Sequence, residues 1–286
     1  MIALPEPVGF VPGGGGSLGA GQVGMLRAPA GHGVAPDLVV GTSVGSVNGA
    51  LLALDPAHAF TRLGRVWERM TRSRVFPGGL LTQARTLRQH RTHLFPNTGP
   101  AEVVAFGLDG AADFADLALP FGAVEVEPVA GAAVTLTSGD LVSAVPASAA
   151  IPGVHPPVHR DGLVHYDGSV PANVPIRQAP AMGAKSLVLL DCAFPGHLPA
   201  VPAAIAEALL FRATPGMRNQ AVLEVEPASA SVPVLYLPGP PVQPVTPLDS
   251  HHIAELVASS YEASARFLDA LRVTGPGLYG HPSGLR

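Results

Sequence analysis

The stretch Asp37–Leu54, DLVVGTSVGSVNGALLAL, has three parts: a β-branched run at Leu38–Val40, a tight turn, and an apolar helical run over Val47–Leu54. The turn Gly41-Thr42-Ser43-Val44-Gly45 is G-x-S-x-G. Glycines on either side let the chain bend sharply without a Cβ clash, which holds the serine clear of the backbone. The first amides of the following helix point toward it and favour negative charge near its oxygen. Ser43 is therefore the candidate nucleophile, with Gly41 and Gly45 as its supports. The five-residue pattern alone is common, and the strand before it and helix after it give it weight.

Upstream, Val8–Val11 reads as a short strand ended by Pro12. The loop Gly13-Gly14-Gly15-Gly16-Ser17-Leu18-Gly19-Ala20 follows, then a helical run to about Arg27 that Pro29 and Gly31 should close. Bare N–H groups at a helix N-terminus attract an anion, either a dinucleotide pyrophosphate or the oxyanion of an acyl intermediate. Gly14, Gly16 and Gly19 satisfy G-x-G-x-x-G, but a dinucleotide site also wants an acidic residue at the end of the next strand. Asp37 opens that strand instead, and its end is taken by the Ser43 turn. The oxyanion reading uses both features, and a nucleotide-binding module remains the rival.

The rest of the chain alternates strand and helix. Asp55–Thr98 reads as largely helical, with FTRLGRVWERM placing Trp67 on a buried face and Arg85, Arg88, His90, Arg91 and His93 on a solvated one. Phe121–Val129 and Val134–Thr137 read as a hairpin. Asp161-Gly162 turns between two short strands, the second ending at Tyr166-Asp167-Gly168-Ser169. Lys185–Cys192 is a buried strand, Val201–Arg212 and His251–Arg272 are helical, Val232–Leu237 is a last strand, and the tail after Gly275 is loop. The pattern predicts an α/β fold: a three-layer α/β/α sandwich with a mostly parallel central sheet. With 286 residues and no clean boundary, a single domain over 1–286 is expected.

Hydrophobic residues make up 47% of the chain and charged ones 13%, ample for a core. The net charge of −4 argues against a nucleic-acid partner. The single cysteine, Cys192, forms no internal disulfide and suits a reducing compartment. No basic residue precedes Arg27, so the start does not read as a secretory signal. Pro7–Leu26 and Pro227–Leu248 are uncharged but too rich in glycine or proline to span a membrane. A cytoplasmic protein is expected, with a transient membrane surface as an open partner. No histidine pair has metal-site spacing together with a matching acid or cysteine, so neither metal nor cofactor is expected.

The glycine loop, the Ser43 turn and Asp167-Gly168 together resemble the patatin-like phospholipases over roughly residues 8–192. That family carries a glycine-rich oxyanion motif, then G-x-S-x-G about two dozen residues on, then D-G-G or D-G-A. VWERMTRSRVFP and SGDLVSAVPASAAIPGVHPPV also resemble bacterial members. Two positions depart: Leu18 stands where the family usually has Arg or Lys, and Ser169 replaces Gly or Ala after Asp-Gly.

The resemblance implies a lipase, esterase or phospholipase A acting on a lipid or small ester without a catalytic histidine. Ser43 would attack, Asp167 would act as base, Gly14, Gly15 and Gly16 would form the oxyanion hole, and Gly19 and Gly168 would support the motifs. A free aspartate, pKa about 3.9, is a poor base for a hydroxyl, and burial would bring it closer to useful. Two rivals stand beside this: an inactive lipid-binding relative, and a triad of Ser43, Asp167 or Asp191, and His197, His251 or His252. His155, His159 and His165 precede Asp167 and cluster near the site, where they could shape the pocket, but surface loop residues are the preferred expectation.

Overall fold

The computed structural model describes residues 2–127, 131–192, 205–239, 248 and 250–280. The strands are β1 (Val8–Pro12), β2 (Leu38–Thr42), β3 (Phe121–Glu127), β4 (Ala132–Leu136), β5 (Val158–Arg160), β6 (Leu163–Asp167), β7 (Ser186–Leu190), β8 (Pro233–Tyr236) and β9 (Gly277–Tyr279). The helices are α1 (Ala20–Gly31), α2 (Val44–Leu54), α3 (Ala59–Arg69), α4 (Arg72–Val75), α5 (Leu80–His90), α6 (Thr98–Leu108), α7 (Leu141–Ser148), α8 (Ser169–Ala172), α9 (Gln178–Ala181), α10 (Ile205–Ser231) and α11 (Ile253–Asp269).

Six strands run parallel in the order β3-β2-β1-β7-β8-β9, with β4 and β6 antiparallel to β3 and β5 antiparallel to β6. The central strands β1, β2 and β7 are buried at every residue, as their unbroken apolar runs require when both faces are covered. One face packs against a core that includes Met25, Leu51, Leu63, Trp67 and Leu108. The other packs against Ala172, Val174, Ile176, Ala221 and Val225. The expected three-layer sandwich is what forms. The chain leaves β1 toward β2 and β3, then crosses back to β7 on the other side. The reversal opens a crevice beyond the carboxyl ends of β1 and β7, where the glycine loop lies.

Strand β3 then acts as a ruler. Its register pairs Thr42 of β2 with Val124, and Asp167 of β6 with Glu125. Because β4 occupies the opposite edge of β3 over these residues, β2 and β6 share one edge and meet nearly end to end. Two residues separated by more than a hundred positions are brought to adjacent rungs.

Three expectations need correction. Helix α1 continues through Pro29, whose carbonyl accepts from the amides of His32 and Val34 at 2.9 and 3.0 Å, so the last turn closes without the proline N–H. Helix α10 runs far past Arg212 despite Pro215, Gly216 and Pro227, because packing against α8, β8 and β9 overrides propensity. The beginning of the predicted Val201–Arg212 helix lies outside the described residues. Beyond Gly275 the chain is not all loop: β9 adds a parallel strand to β8.

Gly45 sits where α2 crosses β1, and a Cβ there would lie 2.1 Å from the Pro12 carbonyl oxygen. Gly45→Ala should destabilise the fold by about 3 kcal/mol or more, since backbone must move to relieve the overlap. Gly64→Ala, in α3 with open space around it, should instead gain up to about 1 kcal/mol from helix propensity. Equilibrium urea unfolding of the two variants checks both signs.

Candidate active site

Ser43 occupies the one-residue turn between β2 and α2 at φ 56°, ψ −127°, a conformation that costs a non-glycine residue roughly 1–3 kcal/mol. The surroundings hold it there. Its amide donates to Ser148 Oγ at 3.0 Å, and its carbonyl accepts from the Ser46 amide at 2.9 Å and from Ser46 Oγ at 2.7 Å. Ser148 Oγ in turn donates to the Val124 carbonyl, which fastens the turn to β3. Thr42 Oγ1 donates to the Ala172 carbonyl at 2.8 Å.

Asp167, at the end of β6, is 3% exposed. Its Oδ2 accepts from Ser43 Oγ at 2.6 Å, and its Oδ1 accepts from the Ser169 amide at 2.8 Å and from Ser169 Oγ at 2.5 Å. Burial raises the carboxyl above its ordinary value, while the hydrogen bonds from Ser169 and Ser43 pull it back. Ser169 is therefore more than a small residue that fits, because its hydroxyl holds the oxygen that Ser43 does not.

The glycine loop lies directly above this pair. A Cβ on Gly14 would lie 2.5 Å from Ser169 Oγ and 3.1 Å from Ser43 Cβ, so only a glycine allows the loop this close. The other motif glycines are contact points too: Gly15 faces Cys192, Gly19 faces Val44 and Trp67, Gly41 faces the Gly45 carbonyl, and Gly168 faces the Val124 carbonyl. Gly16 turns the loop at φ 58°. The amides of Gly13 and Gly14 donate to Leu190 and Asn173 carbonyls at 3.0 and 2.9 Å. The Gly14 amide is thus already engaged by backbone, while Gly16 lines the cavity at Ser43.

A buried polar relay anchors the loop. Trp67 Nε1 donates to Asn48 Oδ1 at 3.0 Å, and Asn48 Nδ2 donates to Gln22 Oε1 at 2.8 Å and to the Gly19 carbonyl at 3.0 Å. Gln22 Nε2 donates to the Gly13 and Leu190 carbonyls at 2.7 and 2.9 Å. Gln22, Asn48, Ser148 and the hydroxyl of Ser169 went unread in the sequence. The available signal was a lone amide within an otherwise apolar buried helix. Leu18 is partly buried against the core, so the loop is held there by apolar contact instead of a cation.

A cavity of about 80 Å³ opens at Ser43, walled by Val47, Trp67, Met70, Val75, Phe76 and Val104. Its surface is almost wholly apolar. His155 lines it but is buried, stacks on Phe76 at 5.6 Å between centroids, and faces the Val75 carbonyl at 3.2 Å. Burial lowers its pKa. His165 is also buried, 2.5 Å from the buried carboxylate of Glu125. The expectation of surface loop histidines holds only for His159: the β5–β6 hairpin turns His165 inward, and His155, ahead of that hairpin, is packed against Phe76. His251 and His252 are exposed ahead of α11, Asp191 accepts from Tyr236 Oη, and His197 lies outside the described residues. The histidine triad is not assembled among the described residues, where Ser43 Oγ bonds Asp167. Asp37 accepts from the Val8 amide at 2.7 Å, at the opposite end of β1 from the glycine loop, where a ribose could not reach it.

Because burial holds the Asp167 pKa above that of the unfolded chain, the folded state keeps a proton the unfolded state releases. Stability then falls as pH rises through that window. Asp167→Asn cannot ionise, so its melting temperature should match or exceed that of the parent at pH 8, with the gain vanishing toward pH 4. A lower melting temperature at pH 8 would contradict this account.

A model of the patatin-like phospholipases matches residues 10–180. Patatin-like phospholipase domain-containing protein 7 of Mus musculus is 33% identical over 189 residues, which are 64% of this chain and 13% of that protein. Lysophospholipase NTE1 of Phaeosphaeria nodorum is 28% identical over 195 residues, 65% of this chain and 12% of that protein. The chain thus spans a small fraction of the length of these relatives. Among solved structures, VipD from Legionella pneumophila aligns with a TM-score of 0.49 at 14% identity, covering 93% of this chain and 67% of that one. The matched span contains the glycine loop, the Ser43 turn and Asp167-Gly168, and the chain belongs to the patatin-like phospholipase family.

Proposed function

We propose that the protein is a serine acyl hydrolase that cleaves carboxylic esters of lipids through an acyl-enzyme on Ser43. The observation that carries this is the 2.6 Å hydrogen bond from Ser43 Oγ to buried Asp167 at the floor of an apolar cavity. In this reading Asp167 Oδ2 takes the Ser43 proton as Oγ attacks the ester carbonyl. The amides of Gly15 and Gly16, with that of Val44 at the start of α2, face the developing oxyanion. Collapse of the intermediate expels the alcohol, which takes the proton back from Asp167 and leaves the acyl group on Ser43. Water then attacks, giving its proton to Asp167, and the proton returns to Ser43 Oγ as the carboxylic acid departs.

Two further points support the substrate class. The cavity walls offer an acyl chain apolar contact along their length and present little to a nucleotide. A lipid ester substrate is in keeping with a relative named lysophospholipase. Among the described residues no helix is long and apolar enough to cross a membrane.

Ser43→Ala should lower hydrolysis of a p-nitrophenyl ester series by about a thousandfold or more. Retained turnover would end the proposal. Ser169→Ala tests the base. Removing a hydrogen bond to the charged carboxylate raises the Asp167 pKa further, so the acid limb of the kcat/KM profile should move to higher pH. An unmoved limb would show that Asp167 is not the group that titrates.

A further inference from the structure

Residues 69–101 carry six of the chain's 17 basic residues and none of its 21 acidic ones. All six are arginines (Arg69, Arg72, Arg74, Arg85, Arg88 and Arg91), and all are exposed. Among the described residues, the five from Arg72 onward take part in no ion pair. The remainder of an acidic protein thus faces one strongly cationic segment.

Helix α5 lies at the centre of that segment and packs little against any other element. Its one buried residue is Gln83. Leu80 is 72% exposed, Leu81 90% and Leu87 42%. Spacing of four and three residues puts Leu80, Ala84 and Leu87 on one strip and Leu81, Arg85 and Arg88 on the next. The solvated face expected over Arg85, Arg88, His90, Arg91 and His93 fails at His93, which is buried beyond the end of α5 because it follows the helix into the body. Nor does it account for three leucines set among the cations.

The feet of α5 are fixed. Phe76 before it and Leu94 and Phe95 after it are buried together with Val154 and Leu248. Between them α5 stands out from the body. Of the residues leading into it, Met70, Thr71, Arg72, Val75 and Phe76 also line the cavity over Ser43, Arg72 being an exposed part of that lining.

We infer that α5 is an interfacial docking helix that seats its exposed leucines and arginines on an anionic lipid surface, beside the mouth of the Ser43 cavity. Leucines on the outward strips enter the acyl boundary while the flanking guanidinium groups pair with lipid phosphates. Charge complementarity selects the surface: a zwitterionic bilayer offers the leucines the same apolar contact but gives the arginines no net attraction. The inference concerns binding and does not depend on hydrolysis.

The test is sedimentation of the full chain carrying Ser43→Ala, which leaves the lipid intact, with phosphatidylcholine vesicles and with mixed phosphatidylcholine–phosphatidylglycerol vesicles. Binding should favour the anionic vesicles and weaken as salt is raised. Arg85→Glu with Arg88→Glu, and separately Leu81→Asp, should each reduce it by about tenfold or more, with unchanged melting temperatures. Hydrogen exchange on the protein without α5 substitutions should show new protection over residues 80–91 only when anionic vesicles are present. Equal binding to both vesicle types, binding indifferent to the substitutions, or no protection over 80–91 would overturn the inference. So would a dimer that Leu81→Asp dissociates, because the face would then belong to a second copy of the chain. Vesicle binding without ester turnover, or turnover without vesicle binding, separates this inference from the proposed hydrolysis.

Discussion

The site depends on the edge of β3 that β2 and β6 share. Hydrogen-bonded rungs are spaced by the covalent geometry of the strand, so adjacent pairing of Thr42 with Val124 and Asp167 with Glu125 sets where the Ser43 turn meets the end of β6. No long side chain has to search for its partner. The Ser148 hydroxyl adds a second tie from the Ser43 amide to the same strand. A slip of one residue in the β3–β6 pairing would turn Asp167 to the other face of the sheet, and one in the β2–β3 pairing would do the same to Thr42. Register here is therefore a functional constraint as much as a structural one.

Such a site is assembled from groups that folding disfavours. Ser43 sits at positive φ, and Asp167 is a carboxyl withdrawn from water. Each is held by several small contributions. Four hydrogen bonds fix the backbone of Ser43, and three donors converge on the Asp167 carboxylate. The supporting groups are mostly serines, short enough to pack beside glycine and able to donate without carrying charge. That chemistry keeps the interior free of a cation that would drive the Asp167 pKa down and weaken it as a base.

How much was legible in the sequence follows from how local each signal is. The strand–turn–helix around Ser43, the glycine loop and the Asp-Gly step are contiguous patterns, and they lie where their local chemistry places them. The β3–β4 and β5–β6 hairpins were readable for the same reason. The relay from Trp67 through Asn48 and Gln22 joins three helices and could not be read, because each member looks like an isolated polar residue on an apolar face. His165 and His155 lie buried against expectation because loop composition says neither which way a hairpin folds nor which distant ring, here Phe76, a loop residue packs on. Helix α10 was cut short because propensity penalises its prolines and glycine, whereas its stability comes from the elements it covers. That the Gly14 amide is already engaged by the Asn173 carbonyl could not be read, because only the tertiary structure brings Asn173 to the loop.

Trp67 has two duties that the fold makes inseparable. Its ring walls the cavity, and its indole nitrogen is the first link of the relay that ends on the carbonyls of Gly13 and Gly19. Under the proposed chemistry, the tail of a substrate and its reacting end are therefore gripped by one rigid unit. Reshaping the cavity at this position to admit a different acyl chain would also loosen the loop that faces the oxyanion. Chain-length preference and turnover cannot be tuned independently at Trp67, whereas Val75 or Val104, which wall the same cavity but are not members of the relay, leave the two separable.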